Sequence, residues 1–281
     1  MAFNVYYAAL GREDRMDGIA QAIADMTPDI AVITEQWKEK PTILEKLDVC
    51  LILRFQNMLY TVRKNFTTTP TAIWSIPWIA ALLSSRKLRQ KSNKYYAFCL
   101  GGPQEKWWDG DILYRADLFE VVKDSVMDWG ANRGLSWAVL KHRDSGKKVL
   151  IYGAHPVCCG NEPIHLQNAL DFAEHARELV AEFPDAAIVY MGDFNALEDW
   201  KSTRLYLGEE VTEKGRTYKI DFQFRDAFRD VNSARVDATT HNSGARLDYI
   251  FLERGEARPQ PIQQGLCPQG FEPLKLGSTC E

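Results

Sequence analysis

The stretch Ile188-Val189-Tyr190-Met191-Gly192-Asp193-Phe194-Asn195 constrains this chain more than any other. An apolar run closed by a glycine reads as a buried strand, and this one ends in a carboxylate and a carboxamide two positions apart. Gly192 lets the backbone turn sharply without a Cβ penalty. If strand alternation persists through the turn, Asp193 and Asn195 project to the same side. A carboxylate beside a group that both donates and accepts suits a phosphate or a hard metal ion. A Gly-Asp turn capped by an asparagine is the plainer alternative, and for this stretch alone the preferred one.

Other strand ends carry similar groups. Phe3 to Ala8 reads as a strand containing Asn4, and Asp14 to Met26 as a helix with Met16, Ile19, Ala20 and Ile23 on one face, stopped by Thr27-Pro28. Ile30-Ala31-Val32-Ile33 is a continuous apolar run typical of a strand buried on both faces, and it ends at Thr34-Glu35-Gln36. Glu35 there is either a metal ligand or a solvated end. Ile112 to Arg115 and Phe119 to Val122 are short strands. Leu135 to His142 and Lys147 to His155 form a hairpin across Arg143-Asp144-Ser145-Gly146, whose second strand runs out at His155. A single histidine at such a place is more often structural than catalytic. Glu162 to Phe183 is the clearest helix and Trp200 to Leu207 a shorter one. Thr217 to Phe224 alternates as a strand, and Asp226-Ala227-Phe228 opens the next segment. Arg246 to Leu252 is a strand with Asp248 set inside it. A buried aspartate is costly unless paired, so Asp248 requires a partner, functional or supplied by Arg246 or a nearby amide.

Length and composition bound the rest. At 281 residues and 46% apolar, with no linker, repeat or low-complexity tract, the chain is expected to form one domain over residues 1–281. A net charge of −4 argues against a strongly basic nucleic-acid scaffold, although local basic patches remain compatible with it. Met1 to Leu10 lacks the basic region and cleavage site of a secretory signal, and the longest apolar stretch, Thr71 to Leu83, is too short to span a membrane. Cys50, Cys99, Cys158, Cys159, Cys267 and Cys280 show no CxxC pair; their even number leans toward a secreted protein. No histidine stands at zinc-ligand spacing. Lys46 to Tyr60 reads as a helix. Trp74 to Lys94 joins an apolar helix to a run of cations, either a core helix with a solvated loop or a flap for an anionic substrate or membrane surface.

Taken together, these strand ends resemble the endonuclease/exonuclease/phosphatase superfamily, which includes deoxyribonuclease I, abasic-site endonucleases, inositol-phosphate phosphatases and neutral sphingomyelinases. Phe3-Asn4-Val5 looks like its first-strand Asn motif, and Pro28 to Gln36 resembles its "PDIIxLQE" element. Gly153-Ala154-His155 resembles "NTH", Gly192-Asp193-Phe194-Asn195 is identical to GDFN, and Arg246 to Phe251 resembles "RIDYIF". Arg133 to Ala138, ahead of a Gly-Lys hairpin, is similar to the uncharacterised metal-dependent hydrolase branch. The resemblance implies an α/β four-layer sandwich: two packed, mostly antiparallel β-sheets flanked by helices, with the site at one end. It also implies a divalent-metal-dependent phosphoesterase in which Glu35 and Asn4 hold Mg2+ or Mn2+. His155 and Asn195 bind phosphoryl oxygens, Asp193 orients or deprotonates the attacking water or assists the leaving group, and Asp248 pairs with a C-terminal histidine.

The pattern breaks at the ends. Where the family carries Ser-Asp-His, this chain has Gly277-Ser278-Thr279-Cys280-Glu281, and few residues precede Asn4, so a domain clipped at both ends is expected. A Cys267–Cys280 disulfide would tie down the tail. The substrate is expected to be a nucleic acid, a small phosphodiester or a phospholipid, the last as in a sphingomyelinase-like lipid phosphodiesterase. A binding or regulatory protein on the same scaffold is the alternative from another class.

Overall fold

The computed structural model describes residues 1–4, 13–35, 47, 96–99, 110–130, 133–158, 161–232, 239–241 and 243–254. The expected helix from Lys46, apart from Leu47, the Trp74 to Lys94 segment, the tail around Ser278 and four cysteines (Cys50, Cys159, Cys267, Cys280) lie outside the described residues.

Two sheets form the frame. The first is assembled from β1 (Ala2–Asn4), β2 (Ile30–Thr34), β3 (Tyr96–Phe98) and β4 (Asp111–Arg115), in the order β1-β2-β4-β3. The second holds β5 (Phe119–Gly130), β6 (Arg133–His142), β7 (Lys148–His155), β8 (Ala187–Asp193), β11 (Phe224–Asp226) and β12 (Asp248–Glu253), in the order β11-β12-β8-β7-β6-β5. A separate ladder pairs β9 (Val211–Glu213) with β10 (Arg216–Tyr218). Only β1–β2 and β7–β8 are parallel; every other pairing is antiparallel. This is the expected four-layer sandwich, with α1 (Glu13–Met26) and α2 (Glu162–Glu182) as the main helices.

Strand alternation explains the layers. Along β8, Met191 faces the core between the sheets with Val32, Ile112, Ala138, Leu140 and Ile151, and Val189 packs against that core. Ile188 and Tyr190 point the other way, into an aromatic layer under α2 where Tyr190 stacks on Phe172 at 4.1 Å. α2 starts at the Asn161 cap, whose side chain accepts from the Ile164 amide, with Pro163 in the first turn. Its buried side includes Leu166, Ala169, Phe172, Ala173, Ala176 and Leu179. On α1, Ile19, Ala20 and Ile23 of the expected face are buried, together with Ala24.

Three expectations need correction. The strand beginning at Phe119 continues to Gly130 through two register shifts, at Val121/Lys123 and Asp128/Gly130. These bulges on the outermost strand of its sheet break the alternation by which a strand is recognised. Thr217 to Phe224 is not one strand: Tyr218 closes β10 and Phe224 opens β11. Ile220, Phe222 and Phe224 are buried as the alternation implied, but Ile220 and Phe222 lie outside any ladder, on either side of a bend at Asp221. Finally, β12 begins at Asp248, so this carboxylate stands at the mouth of the strand and not within it.

The sheets approach each other closely near the end where β7 and β8 run out. A Cβ on Gly153 would lie 2.1 Å from the Gly110 carbonyl oxygen, backbone against backbone across the sandwich. Gly153→Ala should therefore exceed the ~1–3 kcal/mol typical of overpacking and lower the melting temperature by about 5 °C or more. Gly18, exposed on α1 with nothing within 4 Å of a new Cβ, is the opposite case. Gly18→Ala should raise stability by roughly 0.5–1 kcal/mol, and thermal unfolding of the two variants side by side checks both signs.

Candidate active site

The same end of the sandwich gathers the side chains singled out in the sequence. Asn4 closes β1, Glu35 follows β2 in a left-handed conformation (φ 62°), His155 closes β7 and Asp193 closes β8. Asn195 lies two residues further on, and Asp248 opens β12 directly opposite Asp193. Asn4 pairs with Thr34 in the β1–β2 register, which sets the amide beside Glu35.

One carboxamide joins the two sheets. Asn4 Nδ2 donates to Glu35 Oε1 at 3.0 Å and to Asp193 Oδ2 at 2.8 Å. His155, only 1% exposed, brings Nε2 to 3.9 Å from Glu35 Oε1 and 3.8 Å from Asp193 Oδ2. These separations are too long for hydrogen bonds but short for Coulombic contact. The second oxygen of Asp193 accepts from the Asn195 backbone amide at 2.9 Å, a local turn that holds Asn195 at φ 47°. Asn195 Nδ2 in turn donates to the Pro156 carbonyl at 3.1 Å, so this side chain braces the loop that follows His155. His165, buried on the first turn of α2, hydrogen-bonds the Val157 backbone and packs edge-on against Trp200 at 5.1 Å. The residues after His155 are thus held from two sides.

Asp248 is the electrostatically expensive member. Burial, and secondly the charge of Asp193, push its carboxyl up to about 7, while a hydrogen bond with Thr240 and the proximity of His155 pull it down. Its Oδ1 is buried without a hydrogen-bond partner among the described residues. The Arg246 partnership considered from sequence is not formed. Arg246 instead binds both oxygens of Asp226, its Nε donates to Glu198 at 2.7 Å, and its guanidinium lies over the Tyr249 ring at 4.2 Å. Thr240 was missed because it reaches Asp248 through a loop: its Oγ1 accepts from the Leu247 and Asp248 amides at 3.0 and 3.1 Å.

Arg133 is the other residue overlooked as a site component. It opens β6, and its Nη1 lies 2.8 Å from His155 Nδ1 and 3.4 Å from Nε2. The signal was available: counting back from the Arg143–Gly146 turn pairs Gly134 with His155, leaving Arg133 beside the histidine.

The oxygen-rich donor set of Glu35, Asp193 and the Asn4 amide, with no thiolate, suits a hard divalent cation such as Mg2+ or Mn2+ better than zinc. Among the described residues, no three of His, Cys, Asp and Glu are arranged to hold a metal ion. Mg2+ does not require such a set, because it commonly takes one or two carboxylates and completes its shell with water and substrate phosphate.

The sequence profile of the Endonuclease/Exonuclease/phosphatase family matches residues 1–271, and the chain belongs to that family. Members of the family are hydrolases acting on phosphoester bonds, generally with divalent metals. A comparison with curated protein sequences finds no match. Solved structures with the same fold include an endonuclease/exonuclease/phosphatase from Bacteroides vulgatus, at 18% identity and TM-score 0.56, covering 90% of this chain and 85% of that one. A mannosyl-6-phosphatase from Bacteroides thetaiotaomicron is similar at 16% identity and TM-score 0.56, over 90% and 84% of the two chains. The TDP2 of D. rerio, complexed with a single-strand DNA product, is similar at 15% identity and TM-score 0.56, over 92% and 84%. No helix among the described residues is long and apolar enough to cross a membrane.

The raised Asp248 value has a consequence for stability. Between about pH 4 and about pH 7 the folded protein keeps a proton that the unfolded chain has lost, so this group makes stability fall as pH rises through that window. Asp248→Asn should remove that decline and stabilise the metal-free protein at pH 8 by a few kcal/mol, on the order of what such a shift represents. Urea unfolding at pH 4 and pH 8, with a chelator present, measures the difference.

Proposed function

We propose that this chain is a divalent-metal-dependent phosphoesterase that hydrolyses a phosphate ester by direct attack of water. The observation that carries the reading is the Asn4 amide shared between Glu35 and Asp193, with the His155 ring less than 4 Å from both carboxylates. Glu35 and Asn4 would hold Mg2+ or Mn2+. Such an ion, when bound, offsets negative charge on the phosphoryl oxygens.

The protein groups divide the remaining work. Asp193, braced by Asn4 and by the Asn195 amide, is oriented to take the proton of the attacking water as the new P–O bond forms and the ester P–O bond breaks. His155, buried and fixed at its strand end, donates to a non-bridging oxygen as charge builds there. Asn195 uses one N–H on Pro156, and its second N–H serves the same oxygens. Asp248 would hold and polarise an imidazole or a water through the buried Oδ1. The similar mannosyl-6-phosphatase and the DNA-bound TDP2 keep both phosphomonoesters and nucleic-acid phosphodiesters open as substrates. The lipid phosphodiesterase alternative rested on Trp74 to Lys94, outside the described residues, and no observation supports a membrane contact.

The partnerless Oδ1 of Asp248 favours one second reading, a phosphate-ester binder with little turnover, because the acid expected to orient a histidine has none hydrogen-bonded to that oxygen among the described residues. Hydrolysis of bis(p-nitrophenyl) phosphate and p-nitrophenyl phosphate with Mg2+ and Mn2+ separates the two. A catalyst should turn over at least one of them, lose that activity to a chelator and to Glu35→Ala, and lose about 10²–10³-fold in kcat with His155→Ala. A binder would show no metal-dependent turnover with either ester.

A further inference from the structure

Resting on the phosphate-ester reading of the site, we propose that Arg133 is a substrate-anchoring residue whose guanidinium binds the phosphoryl oxygens beside His155. Its position follows from the backbone. The β5–β6 hairpin is bulged at Asp128–Gly130, with Gly130 at φ 80° and its amide donating to Asp128 Oδ1 at 2.7 Å. The extra residue of that bulge lies on β5, facing the start of β6, and bulges are over-represented beside active sites. Arg133 is half-buried at the strand mouth, one residue before Gly134, which pairs with His155.

Charge supports the same role. Glu35 and Asp193 approach His155, and Asp248 lies opposite Asp193, so the site is rich in negative charge that would repel an anionic ester. Arg133 brings a permanent cation to within 2.8 Å of the histidine proposed to face the phosphoryl group. A guanidinium offers five N–H donors in a planar fork that matches two oxygens of one phosphate, and it is more weakly hydrated than an ammonium.

The test measures binding of inorganic phosphate by calorimetry in Mg2+ buffer, alongside turnover of the ester that the wild type hydrolyses. Arg133→Ala should weaken phosphate binding about 10- to 100-fold, the loss expected for a charge-assisted hydrogen bond. Arg133→Lys should recover part of it, and added guanidinium ion should partly restore the alanine variant. The decisive comparison is made in a His155→Ala background. Arg133→Ala should still weaken phosphate binding at least about 5-fold there, because a direct contact survives loss of the ring. No further loss in that background, or phosphate affinity within twofold of wild type for Arg133→Ala alone, overturns the proposal. Should Arg133→Ala fail to fold, Arg133→Gln is read against the same criteria. Arg133-dependent phosphate binding without turnover of any ester would sustain this inference while overturning the catalytic reading.

Discussion

The Asn4 carboxamide is the contact on which the rest of the site depends. It belongs to the first sheet, and it hydrogen-bonds Glu35 of that sheet and Asp193 of the second with the same nitrogen. Two buried or nearly buried carboxylates brought together without such a bridge would repel each other strongly in a medium of low polarisability. The amide supplies donors to both and so allows the sheets to close with their acids facing. Being neutral, the amide orients the acids but does not neutralise them.

Packing delivers these groups to one place. Glycine at 110 and 153 lets the two backbones approach to a distance no side chain permits, and Gly192 does the same against the Ala154 carbonyl within the second sheet. Behind β8, Tyr152, Phe172, Tyr190, Phe194 and Tyr206 pack edge-to-face and stacked, so the strands carrying His155 and Asp193 rest on a stiff aromatic bed. Each ring reaches its neighbours with few rotatable bonds, which limits how far the strand ends can wander. Loop flexibility and site precision are thereby separated, because the acids and the imidazole sit on or beside strand termini.

How much of this could be read in advance depended on whether the signal was local. β2, β7, β8 and α2 declare themselves by apolar runs and by clear stops, and their terminal Glu35, His155 and Asp193 were found for that reason. Asn195 was legible as a residue but not in its bracing of Pro156, which requires a fold-level contact between segments 39 residues apart. The Thr217 to Phe224 alternation proved true of burial and false of pairing, since a segment bent at Asp221 still lays Ile220, Phe222 and Phe224 on the core without a continuous ladder partner. Arg133 lay in a recognisable segment but its approach to His155 shows only through strand pairing, and nothing nearby in sequence marks Thr240. They become visible only when hairpin register and a loop closure are known.

The Arg246 cluster shows why a buried ion pair near a site need not belong to its chemistry. Its guanidinium is satisfied by Asp226 and Glu198 and covered by the Tyr249 ring, while Asp226 also caps the short helix Ala227–Val231 through the Phe228 amide. Tyr249 then donates to the Ala196 carbonyl at 2.9 Å, with the Arg246 carbonyl 3.1 Å away. This chain of contacts ties the residues just after Asp193 to those just before Asp248. Its members are paired with one another, whereas Asp248, two positions along the chain, keeps an oxygen buried and without a partner among the described residues. Two acids on paired strands are thus divided by their surroundings. Asp226 is held by arginine and serves the fold, whereas Asp248 bears a cost of burial that Thr240 and His155 offset only in part.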